Sequence, residues 1–328
     1  MNRHPAESSP GSGMLIFGGF LALSFALAPV ARAEAPPLYQ SNFATCGTAP
    51  GQIFGVWGIT AGADGALYVA DSDGQWVSKF DAATGAFLLR WDVPQAWDVA
   101  VAPDGSVYVL RSAAGQIDRF SPTGTPLGSF GSPGSGDGQF NGPFGISIDP
   151  QGQVFVADTG NSRIQRFAAD GTFLGKWGQF GGQIGDLQSP SEVAADAFGN
   201  VYVIDNRLGR IYRFSNTGSL LGWWYLGGPL STPITLNYGL AVDPAGNVYV
   251  TEGSIVIDKY TPSGQWLSRF GHYGTGPGQF LFAMTIACDP QGHIYVSDRS
   301  LCRITRFGYD SPVASLPTSW GRLKATYR

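Results

Sequence analysis

The chain has 328 residues, with 47 glycines, 22 prolines, 43% hydrophobic residues and only 13% charged ones. A disordered chain shows the reverse balance, whereas many short strands joined by Gly/Pro turns fit it well. A net charge of −4 without basic runs excludes nucleic acid as a partner, because phosphate binding needs clustered Lys and Arg.

Residues 1–33 read as an export signal. Arg3 and His4 make a polar start, and an apolar run from Met14 to Val30 follows. Ala31-Arg32-Ala33 then supplies the small-x-small pattern of a cleavage site. Cleavage is expected after Ala33, with Ala35 as the second choice. The run is short for a membrane span, and no cysteine sits at the cleavage point to carry a lipid. The expected location is secreted or periplasmic, in a bacterium.

Six segments of the remaining chain superpose on one another. Their second strands contain Gly-Ala-Leu-Tyr68-Val, Gly-Ser-Val-Tyr108-Val, Gly-Gln-Val-Phe155-Val, Gly-Asn-Val-Tyr202-Val, Gly-Asn-Val-Tyr249-Val and Gly-His-Ile-Tyr295-Val. Each unit opens with an apolar strand and a tight turn such as Asp149-Pro-Gln-Gly152, in which Pro presets φ and Gly takes the positive-φ position. A third strand ends in a basic-aromatic pair: Lys79-Phe80, Arg119-Phe120, Arg166-Phe167, Arg213-Phe214, Lys259-Tyr260 and Arg306-Phe307. A second glycine turn and a fourth strand complete the unit, which is a propeller blade. The fold expected is all-β: a six-bladed β-propeller of four-stranded antiparallel blades over residues 38–310. The blades begin near 54, 94, 141, 188, 235 and 281.

Closure is readable from spacing. Phe43 stands nine residues before Gln52, as Phe130 stands before Gln139 and Phe270 before Gln279. The N-terminal segment 38–44 therefore supplies the outer strand of blade six and removes a sheet edge; a strand from Val313 to Trp320 is the alternative. Cys46 follows the closing strand, and Cys302 lies in the loop between strands two and three of blade six, so a disulfide between them would lock the ring. Cys288 reads as a buried free thiol. Residues 311–328, with Pro312 and Pro317, form a linker-like tail.

The third unit carries Gly136-Asp-Gly-Gln-Phe140, Pro143-Phe-Gly-Ile146 and Val156-Ala-Asp158-Thr-Gly-Asn161-Ser-Arg163-Ile164-Gln-Arg-Phe167. These motifs resemble the NHL repeat, and the resemblance extends over about residues 40–307. It is specific for architecture and weak for activity, since the family hosts unrelated functions.

Ligands of propellers gather at one mouth of the channel. The first-strand entries there are Trp57, Trp97, Phe144, Ser191, Tyr238 and Met284, an aromatic-rich ring with Trp57, Trp97, Phe144 and Tyr238 as the candidate ligand-binding residues. The next positions place Asp98 and Glu192 across the rim. The plain alternative is that the aromatics fill the channel as core. The loop carboxylates Asp71, Asp73, Asp158, Asp205, Glu252 and Asp298 recur once per blade except in blade two, where Arg111 intrudes. They read as structural loop caps or Asp–Arg pairs with Arg163, Arg210 and Arg303.

Enzymes of similar fold set a comparison. The peptide-amidating lyase holds zinc with several histidines, but beyond residue 33 this chain has only His272 and His293. Lactonase-type propellers hold calcium with a lead-in Glu that is absent here, and streptogramin-lyase-like ones need paired His and Glu. The leading reading is a non-enzymatic binding scaffold for a protein, peptide or glycan, expected as a monomer and without a cofactor. The alternative is a metal-dependent lyase or lactonase-like hydrolase at the channel mouth using Asp98, Glu192 and His272, with Ca²⁺ as the candidate cofactor.

Overall fold

The computed structural model describes residues 34–228 and 238–309. The export signal, the tail and the segment 229–237 lie outside the described residues. Six four-stranded antiparallel sheets form a ring. Their innermost strands are Val56–Ala61, Asp98–Val101, Ile146–Ile148, Pro190–Ala195, Leu240–Val242 and Ala283–Cys288. Each begins a few residues after the expected blade start; in blades one, three, four and six the residues ahead of it are tied to Asp71, Asp158, Asp205 and Asp298 instead of to a ladder. The second-strand aromatics Tyr68, Tyr108, Phe155, Tyr202, Tyr249 and Tyr295 are all fully buried. The apolar core is divided into six clusters, one at each boundary between neighbouring blades.

Blade six is completed by the N-terminal strand Leu38–Phe43, which pairs with Arg303–Gly308. Packing identifies it as a true fourth strand. In blade three, Gly171 (φ +89°) lies so close to Phe130 of blade two that a Cβ would sit 2.6 Å from the ring. Gly85 of blade one, also left-handed at φ +73°, lies against Phe43 in the same way. A non-glycine residue fails at such a position both by φ and by space. Cys46 and Cys302 are bonded, with Cα atoms 4.8 Å apart and 256 residues between them in sequence.

In blades one, three, four and six the basic residue of the third strand stitches its blade to the next, whereas Arg119 of blade two stays within its own blade on Asp104 and Ser106. Lys79 donates to the Pro122 carbonyl, Arg166 to Asn216, Arg213 to Pro262 and Arg306 to Ala83, each in the outer turn of the following blade. Blade five departs as well, because the fourth strand of blade six comes from the N-terminal segment and does not follow its third strand through a turn. Its Lys259 meets the Glu34 carboxylate (2.7 Å) and the Tyr309 hydroxyl (2.9 Å) instead.

The loop carboxylates act as caps. Asp205 accepts from the amides of Gln188, Ser189, Arg207 and Leu208, and Asp298 from those of Leu281, Phe282, Ser300 and Leu301. So occupied, neither takes up its arginine, and the expected Asp–Arg pair forms only at Asp158–Arg163 (2.7 Å) among the described residues. Arg210 donates to the Tyr212 hydroxyl, and Arg303 donates to the carbonyls of Thr275, Gly276 and Gln279.

Candidate functional site

The aromatic entries converge until they touch. The Trp57 and Trp97 rings stack with centroids 3.9 Å apart. Phe144 stands edge-on to both, at 6.1 and 5.2 Å, and Tyr238 lies 6.3 Å from Trp57 and 6.4 Å from Phe144. The ring of separate residues around an open mouth is therefore a cluster that covers the channel at this end. Its members remain half-buried, with an outer surface toward solvent.

Two further residues join it. Phe282 reaches Tyr238 (5.9 Å). A register shift between Ala283 and Ile286 places Met284, the residue expected there, in the core at 1% exposure. The Arg299 guanidinium lies 4.8 Å over the Trp57 ring while Nη2 contacts the Asp73 carboxylate at 2.7 Å. Nothing in the repeat pattern marks Arg299, because it crosses from blade six to blade one. The blade-four entry, Ser191, has no ring and is buried, accepting from the Asn206 amide.

Asp98 and Glu192 do not stand on the rim. Both are 7% exposed and lie inside the channel, on the wall of a cavity of about 210 Å³ built from all six innermost strands. Neighbouring glycines make room for them: a Cβ on Gly58 would collide with the Asp98 carboxyl, and one on Gly145 with that of Glu192. Over the first four blades the register position thus alternates between a glycine and the acid that fills its space, and in blades five and six it is Gly239 and Thr285. The Asp98 carboxylate accepts from the backbone amides of Ile146 and Val99, both at 2.8 Å. Burial pushes it up to about 7 against the pull of those two donors. Burial, and then the charge of Asp98, hold Glu192 well above the usual carboxylate range.

The structure does not bring His272 to these acids. It is exposed in the lead-in of blade six, with Nε2 2.8 Å from the Gln279 amide nitrogen. Glu252 belongs to a separate buried cluster. Arg269 contacts Asp258 at 2.6 Å and Glu252 at 2.9 Å. Burial and the Asp258 charge still push Glu252 up to about 8, because Arg269 is engaged first by Asp258. Among the described residues, no three of His, Cys, Asp and Glu gather as a metal-holding group. The donor set at Asp98 and Glu192 therefore falls short of a calcium or zinc site.

The NHL repeat family matches residues 140–167. No curated protein matches the chain. Solved structures share its fold. A streptogramin B lyase is 17% identical with a TM-score of 0.60, covering 82% of this chain and 97% of that one. The virginiamycin B lyase from Staphylococcus aureus is 16% identical with a TM-score of 0.57, covering 82% and 98%. Hydrazine synthase from Kuenenia stuttgartiensis is 14% identical with a TM-score of 0.56, covering 79% and 97%. At such identities the similarity is one of architecture.

Proposed function

We propose that this chain, a six-bladed propeller of the NHL-repeat family, is an exported non-enzymatic binding module that takes a glycan against its aromatic cluster. The observation that carries the reading is the stacked Trp57–Trp97 pair with Arg299 and Asp73 at its edge. Half-buried flat rings offer apolar faces to the C–H side of a sugar, and a fixed charged pair beside them offers hydrogen bonds to hydroxyls. The rings brace one another, so little side-chain freedom is lost on binding. Export follows from the reading of residues 1–33, and the Cys46–Cys302 bond suits an oxidising compartment.

The test is a glycan array followed by tryptophan-fluorescence titration of the best binder. Trp97→Ala should weaken that binding about tenfold or more, the usual cost of losing a central aromatic anchor. Equal binding by the variant, with its circular dichroism unchanged, overturns the reading. A lyase would have to act without a histidine at the two buried acids, since His272 is engaged with Gln279.

A further inference from the structure

The cavity below the aromatic cluster continues away from it. It meets a vestibule of about 430 Å³ bounded by the turns between first and second strands, and Ala61, Val101, Ile148, Ala195, Val242 and Cys288 line both spaces. The channel is thus entered from the face opposite the aromatic cluster. Its lining carries one sign of charge. Asp149, Asp196, Asp243 and Asp289 stand at the vestibule and Asp98 and Glu192 deeper in, while no Lys, Arg or His among the described residues lines either space.

The two deep acids differ in how well they are satisfied. Asp98 accepts two backbone amides. Glu192 is 7% exposed, borders the cavity over Gly145, and has no side-chain partner among the described residues; the backbone amide of Val193 is its one nearby donor. A carboxyl buried with so few donors is costly to ionise, and a ligand that brings both positive charge and N–H donors supplies what its carboxylate form lacks. The space suits a small group, since about 210 Å³ is about seven waters' share of liquid volume.

We propose that the channel is a binding site for a small primary ammonium compound, which enters at the turn face and donates its N–H groups to Glu192 and Asp98. A divalent metal would need about six oxygen ligands, and the side chains here offer two carboxylates. An ammonium needs only acceptors and a route lined without positive charge. This site is independent of the glycan reading, being reached from the other end of the channel.

Calorimetric titration of the whole chain with ethanolamine hydrochloride tests it, with tetramethylammonium chloride and calcium chloride as comparison probes. The expected result is saturable one-site binding of ethanolamine with a dissociation constant on the order of millimolar. Tetramethylammonium, which has no N–H, should not bind. Glu192→Gln should weaken ethanolamine binding about tenfold or more, and Asp98→Asn provides the second variant should the first not fold. The proposal is overturned by absence of saturable binding in the wild-type protein, by equal affinity for tetramethylammonium, by unchanged binding in the folded variant, or by calcium binding that ethanolamine does not displace.

Discussion

Asp98 and Glu192 each occupy space that a glycine of the preceding blade leaves free, and that placement sets their chemistry. Taken out of water and facing each other's charge, both keep protons in the folded protein that the unfolded chain gives up above about pH 4. The folded state then binds more protons than the unfolded one, so their contribution makes stability fall as pH rises from about 4 through about 7. The slope is up to about 1.4 kcal/mol per pH unit for each group. Glu192→Gln removes its share. Its stability advantage over the wild type, measured by urea unfolding, should therefore widen as pH rises from about 5 to about 8. An equal difference at both pH values would show that Glu192 ionises normally. The glycines at 58 and 145 and the acids at 98 and 192 could be read as one register position. Their depth could not, because it depends on how far the innermost strands stand from the channel axis.

The lead-in loop of a blade is held by an arginine from its own third strand, and blades three and six show two versions of this clasp. Arg163 donates to the carbonyls of Ser135, Gly136 and Gln139 and also pairs with Asp158, whose carboxylate is fully buried. Arg303 makes the matching carbonyl contacts without a carboxylate partner among the described residues, Asp298 being occupied by amides. Gln139 and Gln279 complete the loops by accepting from the amides of Gly136 and Gly276, and short parallel pairings run alongside. Arg163→Met leaves a buried charge unpaired and should cost about 3–5 kcal/mol. Arg303→Met should cost clearly less, and comparable losses in the two denaturation curves would refute the distinction. The Gly-x-Gly-Gln-Phe motif marked these loops in the sequence. What escaped was the clasp itself and the parallel pairing, which carry no periodic hydrophobic signal; this is why His272 reads from sequence as a site residue and stands in the structure as part of a lead-in.

A ring of six blades has one seam, and here several contacts cross it. The strand Leu38–Phe43 completes blade six, Phe43 packs beneath Gly85 of blade one, Glu34 replaces a missing turn carbonyl opposite Lys259, and Cys46 is bonded to Cys302. The disulfide closes a loop of 256 residues, so its largest effect is on the unfolded chain. Reduction, or the Cys46→Ala/Cys302→Ala pair, should lower stability by about 3–5 kcal/mol. Chemical denaturation with and without reductant measures it, and coincident curves would mean that the strand and its packing hold the seam unaided.

Repetition made the architecture legible. Strand order, blade number, the turn residues and the closing strand all follow from patterns that recur about every 47 residues, since each blade buries the same faces against its neighbours. The channel is different, because it is where the six blades stop being equivalent. Whether Trp57, Trp97, Phe144 and Tyr238 line an opening or meet across it depends on ring radius and on the rotamers of four large side chains from four blades. The burial of Asp98 and Glu192 and the entry of the channel from the turn face depend on the same geometry. Local periodicity reports which face of a strand is buried; only the closed ring decides which unlike residues come together at its centre.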